Sequence, residues 1–258
     1  MMNEIQALAF FDLDGTLLNE KSEITPEIYG AINKLKENNV LPVIATGRTI
    51  IEIEHIMADS GIDSAIAMNG QFIQVEGQKV YSNDFSVEEC KRLYEHVLQN
   101  GHELSLYNDQ HIWCSNQTET MKNAYKLIHT NAPQVEPLFT NSRVINMMLI
   151  LSEDGDEYYY KHFPEFTFYR NGPYSIDTVK KGISKGSAVK ELMRCLSLSE
   201  TPTFAFGDGL NDLALFDACQ NRIAMGNARP ELKERSTYIT SNNTDGGIVK
   251  ALSYFNLI

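Results

Sequence analysis

The sequence predicts an α/β chain whose parallel sheet is assembled from both ends of the polypeptide, with an α+β domain inserted between them. Three observations carry this reading. Over the first part of the chain, short apolar runs alternate with amphipathic helical segments, the signature of strands covered on both faces. The same alternation resumes near Ser184. Between the two, at about 83–183, paired short strands and a hairpin signal suit an antiparallel sheet.

Ala7–Phe11 is an apolar run without alternation and predicts a buried strand. Thr25 is a natural N-cap for a helix beginning at Pro26, where a missing N–H costs nothing. Ile28, Ala31, Ile32 and Leu35 then give that helix one apolar face. A strand at Val40–Ala45, a helix from about Thr49 to Gly61 and a strand at 65–68 continue the series. Such alternation signals right-handed crossovers and a ligand site beyond the carboxyl ends of the strands. Asp12, Thr46 and Asn69 each stand just past a predicted strand end.

In the middle region, Ser86-x-x-Glu89 reads as a capping box opening a helix with Leu93, Val97 and Leu98 on one side. Strands at Glu103–Tyr107 and 111–115 flank Asn108-Asp109, a hairpin turn. A helix at 117–130, a strand at 144–151, a helix at 154–162 and strands at Phe166–Arg170 and 174–179 follow. The resumed pattern holds a helix at 185–196, a strand at 203–206, a Gly-Asp-Gly loop leading to another helix, and strands at 222–225 and 238–240.

The 258 residues carry a net charge of −12. That surface repels nucleic acid and anionic membranes at long range, so neither is expected as a partner. It leaves room for a small anionic ligand, because a bound metal and a few cations dominate a pocket locally. Cys90, Cys114, Cys195 and Cys219 lie far apart with no Cys-x-x-Cys spacing, against a zinc site or a disulfide framework. The first apolar run is short, lacks a basic flank and ends on Asp12, unlike a signal peptide. No stretch approaches the roughly 18 apolar residues of a membrane span. The expectation is a cytoplasmic protein with reduced thiols.

Four polar clusters carry candidate chemistry. Asp12-Leu13-Asp14-Gly15-Thr16 places two carboxylates at a strand end, suited to sharing a metal or dividing nucleophile and acid roles; an ordinary turn has the same composition. Thr46-Gly47-Arg48 precedes a helix, where a hydroxyl and backbone N–H groups hold phosphate or merely cap the helix. Lys185 opens a helix, where its charge opposes the dipole unless an anion lies near; a solvated surface lysine is the alternative. Gly207-Asp208-Gly209-Leu210-Asn211-Asp212 is an oxygen-rich loop without the ligand spacing of an EF-hand, or else an acidic surface turn. Ordinary turns and caps do not explain why the three loop clusters fall at strand ends of one sheet, nor the order carboxylate pair, threonine, lysine, acidic loop.

Together these segments resemble the four signature segments of the haloacid dehalogenase superfamily. Asn69-Gly70, SKGSAVKEL at 184–192, AMGNA at 224–228 and TDGGIVKAL at 244–252 resemble its Cof-type branch of sugar and metabolite phosphatases. The resemblance covers both ends of the chain, while 83–183 matches only in length and coarse pattern. Where many relatives carry a methionine after the acidic loop, this chain reads Leu213-Ala214-Leu215-Phe216, a departure expected to touch packing only. The resemblance implies a Rossmann-like core from 1–82 and 184–258 and an inserted α/β cap from 83–183 that sets specificity.

It also implies Mg2+-dependent hydrolysis of small phosphorylated metabolites, sugar phosphates above all, through an aspartyl-phosphate. Carried over, Asp12 is the nucleophile and Asp14 the general acid, then base. Magnesium is held by the carboxylates of Asp12 and Asp208 and the backbone carbonyl of Asp14, with Asp212 orienting a metal-bound water or reaching the metal. Thr46, the Gly47 backbone and Lys185 hold phosphoryl oxygens, and Asn211 adds a contact to phosphate or to Lys185. Arg48 and Asn69 are placed near the substrate. His111, Trp113, Arg143 and Tyr174 are polar or aromatic candidates for the cap's inner face, though nothing separates them from ordinary core or surface residues. A phosphotransferase such as a phosphomannomutase would share the four segments. A phospho-receiver module would share the acidic cluster, Thr and Lys but lack the insertion, and a catalytically idle binding protein would share the fold alone.

Overall fold

The computed structural model describes residues 5–127, 131–140, 143–170 and 172–258. The chain divides into two units, Met1–Tyr81 with Ser184–Ile258, and Ser82–Ile183. The first apolar run forms strand β1 (Ala7–Phe11), buried along its whole length. Helix α1 (Pro26–Glu37) is capped by the Thr25 hydroxyl, which accepts the Ile28 N–H, and buries the four expected apolar residues. Strand β2 (Val40–Ala45) leads to α2 (Ile50–Ser60). In α2, Thr49 and Glu52 satisfy each other's backbone N–H groups as a capping box, and Gly61 ends the helix in the left-handed region.

Strand β3 (Ala65–Ala67) stops a residue short of expectation, because Met68 and Asn69 both turn left-handed (φ 51° and 54°). A hairpin outside the expected strand series comes next: β4 (Phe72–Val75) and β5 (Gln78–Ser82), turning on Glu76-Gly77, both at positive φ. Such a two-residue turn matches the twist of the flanking strands.

The second unit begins with α3 (Val87–Gln99), opened by the Ser86/Glu89 capping box. Cys90, Leu93 and Val97 face inward, but Leu98 is 50% exposed. It follows Val97 directly, and one step along a helix turns a side chain well off the apolar stripe. Strands β6 (Glu103–Tyr107) and β7 (Ile112–Cys114) pair antiparallel, with the Asn108 side chain accepting the Gln110 N–H in the turn. Helix α4 (Glu119–Leu127) follows; the last three positions of the expected 117–130 helix lie outside the described residues.

Next come β8 (Gln134–Val135) and β9 (Met147–Leu151). The latter is shorter than the expected 144–151: the Ile145 carbonyl accepts the Phe85 N–H at 2.8 Å, and the buried Asn146 side chain donates to Ser82 and Asp84. Helix α5 (Asp156–His162), β10 (Phe166–Arg170) and β11 (Ser175–Lys180) complete a six-stranded sheet of order β10-β11-β9-β6-β7-β8. Trp113 is fully buried in the apolar core of this unit, its indole N–H donating to the Leu138 carbonyl at 3.0 Å. His111 and Arg143 both bond the Glu136 carboxylate, and Tyr174 is half-buried.

The chain returns through α6 (Lys185–Cys195), β12 (Thr203–Gly207), α7 (Leu213–Ala218) and β13 (Asn221–Ala224). It ends with α8 (Pro230–Arg235), β14 (Tyr238–Ile239) and α9 (Gly247–Tyr254). The sheet order β14-β13-β12-β1-β2-β3-β4-β5 makes β1 central, with parallel pairing from β14 to β3. The predicted α/β class with a parallel core is what the chain adopts. Among the described residues no helix is long and apolar enough to cross a membrane.

Helices α6 and α7 meet at a glycine. A Cβ on Gly186 would lie 1.9 Å from the Ala214 carbonyl oxygen, whereas one on Gly30 in α1 meets nothing within 4 Å. Gly186→Ala should therefore cost about 1–3 kcal/mol through forced separation of the helices. Gly30→Ala should add about 0.5–1 kcal/mol by lowering the entropy lost on helix formation. Urea denaturation of the two variants checks both signs.

Candidate active site

Four loops meet at the carboxyl ends of the central strands. Asp12 leaves β1, Thr46 leaves β2, Met68-Asn69 leaves β3 and Asp208 leaves β12. Parallel pairing of β12, β1, β2 and β3 aligns these ends, so residues remote in sequence share one edge. Lys185, the first residue of α6, completes the group.

Lys185 is 2% exposed. Its ammonium donates to Asp12 Oδ1 at 2.5 Å and to Asp212 Oδ1 at 2.8 Å. The other Asp212 oxygen accepts the N–H groups of Asp208 and Gly209 at 3.1 and 3.0 Å, so that carboxylate both neutralises the lysine and shapes the acidic loop. Burial opposes the lysine charge, but Asp12 and Asp212 outweigh it and push its pKa up.

Asp12 is 7% exposed. Burial and the neighbouring Asp212 carboxylate raise its pKa to about 8, against the opposing pull of Lys185. Asp208 is raised to about 6, by burial first and then by Asp212. One oxygen from each of Asp12, Asp208 and Asp212 lies within 4.8 Å of the others. Three carboxylates thus face a single ammonium, an excess of negative charge that a divalent cation would balance. Carboxylate and carbonyl oxygens are the ligands that hard divalent ions take, and the donor set fits one.

Asp14 points elsewhere. Its carboxylate is exposed and chelated by Arg48, with Nε to Oδ2 at 3.1 Å and Nη2 to Oδ1 at 2.5 Å. The Thr46 hydroxyl oxygen accepts the Arg48 N–H at 3.1 Å, which leaves its own O–H to donate. Asn69 is buried against this loop, its N–H donating to the Thr46 carbonyl at 3.0 Å. Asn211 is exposed at the rim and makes no side-chain hydrogen bond among the described residues.

The structure thus gathers buried Asp12, Lys185 and Asp212 with half-buried Asp208 into one cluster, with Thr46, Gly47 and Asn69 on the adjoining loops. It sets Arg48 and Asp14 against each other. Thr16, to which its place in the Asp12–Thr16 segment gives no role, joins the group. It is 1% exposed and donates its hydroxyl to Asp208 Oδ1 at 3.1 Å. Gly15 makes that approach possible: it has φ 82°, and a Cβ there would lie 2.4 Å from Asp208 Oδ2.

Residues 9–252 match the family model of haloacid dehalogenase-like hydrolases. YkrA of Bacillus subtilis, whose own naming as a phosphatase is provisional, is 30% identical over 97% of this chain and 98% of its own. A protein of Geobacillus kaustophilus HTA426, described as hypothetical, superposes with a TM-score of 0.90 at 31% identity, covering 97% of this chain and 99% of that one. The sugar phosphatase BT4131, described as a member of HAD subclass IIB, superposes with a TM-score of 0.84 at 26% identity, covering 98% and 100%.

The raised carboxyl of Asp12 has a consequence for stability. An unfolded aspartate gives up its proton near 3.8, the folded Asp12 at about 8. Between those values the folded state binds more protons, so its stability falls as pH rises through that window; Asp208 acts in the same sense. In a chelating buffer, Asp12→Asn should melt increasingly above wild type as pH goes from 5 to 8, by thermal denaturation. A gap independent of pH would contradict the assignment.

Proposed function

The chain belongs to the haloacid dehalogenase-like hydrolases, and from that premise we propose that it hydrolyses small phosphate monoesters, sugar phosphates foremost, with magnesium and through a phosphoryl group carried on Asp12. It is an enzyme, a phosphoric monoester hydrolase. The observation that carries the finer reading is the buried Asp12–Lys185–Asp212 cluster with Asp208 beside it.

In this reading Asp12 and Asp208, with the backbone carbonyl of Asp14, would hold the ion, while Asp212 is retained by Lys185 and by two backbone N–H groups. Magnesium bound there would neutralise the repulsion between carboxylate and phosphate. A carboxylate oxygen of Asp12 attacks phosphorus, and the bond from phosphorus to the ester oxygen breaks as Asp14 hands that oxygen a proton. Water then attacks the aspartyl-phosphate and gives Asp14 its proton. The bond from phosphorus to Asp12 breaks, and inorganic phosphate leaves. Lys185, the Thr46 hydroxyl and the Gly47 N–H hold phosphoryl oxygens, and Asn211 stands at the rim to add a contact.

The Arg48–Asp14 pair refines the acid role. A carboxyl with both oxygens accepting from a guanidinium has to let go before it can donate. An arriving phosphate, a better partner for arginine in the same loop, provides the exchange. Asn69, held against that loop from the end of β3, completes the substrate contacts. Sugar phosphates are favoured by the likeness to BT4131. Substrate choice is assigned to the inserted unit, and a cytoplasmic setting suits four free thiols.

Phosphate release from a panel of phosphorylated metabolites, with magnesium and with chelator, tests the reading. Release should require the metal and fall by about 10³-fold or more in Asp12→Asn, the scale of losing an activated nucleophile. Near-normal activity of that variant would overturn the nucleophile, and transfer to added alcohol without free phosphate would indicate a transferase. Asp14→Asn should slow poor leaving groups, such as alkyl phosphates, far more than p-nitrophenyl phosphate. Equal slowing of both would remove Asp14 from the acid role.

A further inference from the structure

Two asparagines outside the four signature segments tie the loop after β1 to the loops after β13 and β14. Asn227, in the AMGNA segment, donates its Nδ2 to the Gly15 carbonyl at 2.8 Å. Its Oδ1 accepts the backbone N–H of Asn243 at 3.0 Å. Asn243, beside the TDGG segment, donates its own Nδ2 to the Leu18 carbonyl at 2.8 Å. The amide of Asn227 is thus used at both ends, and its orientation follows from its partners: a carbonyl needs a donor and an N–H an acceptor. The two outer loops are joined as well, by the Gly226 N–H to the Ser241 carbonyl at 2.9 Å.

The loop after β1 does not rest on this bridge alone. The loop after β1 already carries its own backbone bonds, Leu17 N–H to Asp12 and Leu18 N–H to Leu13. Asn227 is exposed, where one hydrogen bond adds little stability. What the bridge touches is the turn between Asp14 and Thr16. The peptide whose carbonyl Asn227 holds leads directly into Thr16, and the Thr16 hydroxyl donates to Asp208 Oδ1.

We propose that Asn227 is a positioning residue which, backed by Asn243, holds the Gly15 carbonyl and so sets the Asp14–Thr16 turn that orients Asp208 for the metal. The proposal rests on reading Asp12, Asp14 and Asp208 as the metal-holding group. It gives a purpose to two C-terminal motifs that the reaction itself leaves unused.

The test is magnesium titration by calorimetry on the full-length chain, with the thermal midpoint of each variant recorded beside it. Asn227→Ala loses both bonds; Asn227→Asp keeps the acceptor for Asn243 and replaces the donor to Gly15 with a carboxylate oxygen that the carbonyl repels. Both should bind magnesium about 2- to 10-fold more weakly, the scale of one neutral hydrogen bond, with midpoints close to wild type. The magnesium concentration for half-maximal turnover of p-nitrophenyl phosphate should rise by the same factor. Asn242→Ala, which loses only a side-chain bond to Asp245, should match wild type. Unchanged magnesium affinity in Asn227→Ala, or weakening in step with lost thermal stability, overturns the proposal. A wild type that binds magnesium yet releases no phosphate overturns the hydrolytic reading, while the affinities still decide the role of Asn227. A wild type that binds no magnesium overturns both.

Discussion

A fully buried ammonium between two carboxylates is the constraint on which the active-site end of this protein depends. Lys185 could not be buried alone, since an unpaired ion in a protein interior costs several kcal/mol. Asp12 and Asp212 make its burial tolerable. They also overshoot, because Asp208 adds a third negative group beside them. The cluster therefore holds more negative charge than its one ammonium balances, a poor arrangement for stability and one that suits the cation and phosphate of the proposed reaction. Such unrelieved charge is typical of places where structure has been given over to chemistry.

The rest of the core serves that cluster. β1 occupies the middle of the sheet between β12 and β2, so the loop bearing Asp12 is flanked by those bearing Asp208 and Thr46. Helix α6 must approach closely to deliver its first residue, and small residues permit it. Gly186 lies against the Ala214 carbonyl, and Gly70, on the loop after β3, lies against the Ser184 carbonyl. Capping boxes at Thr49 and Ser184 fix where α2 and α6 start, and hence where Arg48 and Lys185 emerge.

Much of this was legible in the residues. Apolar runs that end on Asp, Thr or Gly-Asp located the strand ends, and the unfavourable place of Lys185 in its helix pointed to anionic neighbours. Pairings were another matter. Nothing in the spacing of Asp14 and Arg48 says that they chelate each other, because side-chain partnership across loops is settled by tertiary geometry. Glu76-Gly77 between alternating residues does announce the β4–β5 hairpin, and Ile248, Ala251 and Leu252 give α9 an apolar face at helical spacing; α8, with six residues and Leu232 alone buried, carries no such pattern. Trp113 was grouped with possible ligand contacts; an indole whose N–H finds a backbone carbonyl can be fully buried, and composition alone does not reveal that carbonyl.

The strand order also shapes how the protein comes into being on the ribosome. β1 pairs with β2 early, but its other neighbour, β12, lies almost 200 residues further along the chain. Until that strand emerges, the most apolar edge of the nascent sheet has no partner. The unit Ser82–Ile183 is continuous in sequence, and its sheet closes from its own residues while the core waits. Late long-range pairing of this kind slows folding and leaves strand edges open to wrong partners. Where strands pair in the order of synthesis, the free edge of β1 waits from the completion of β2 to the release of β12, and in that interval a chaperone guarding one unpaired strand would have most to do.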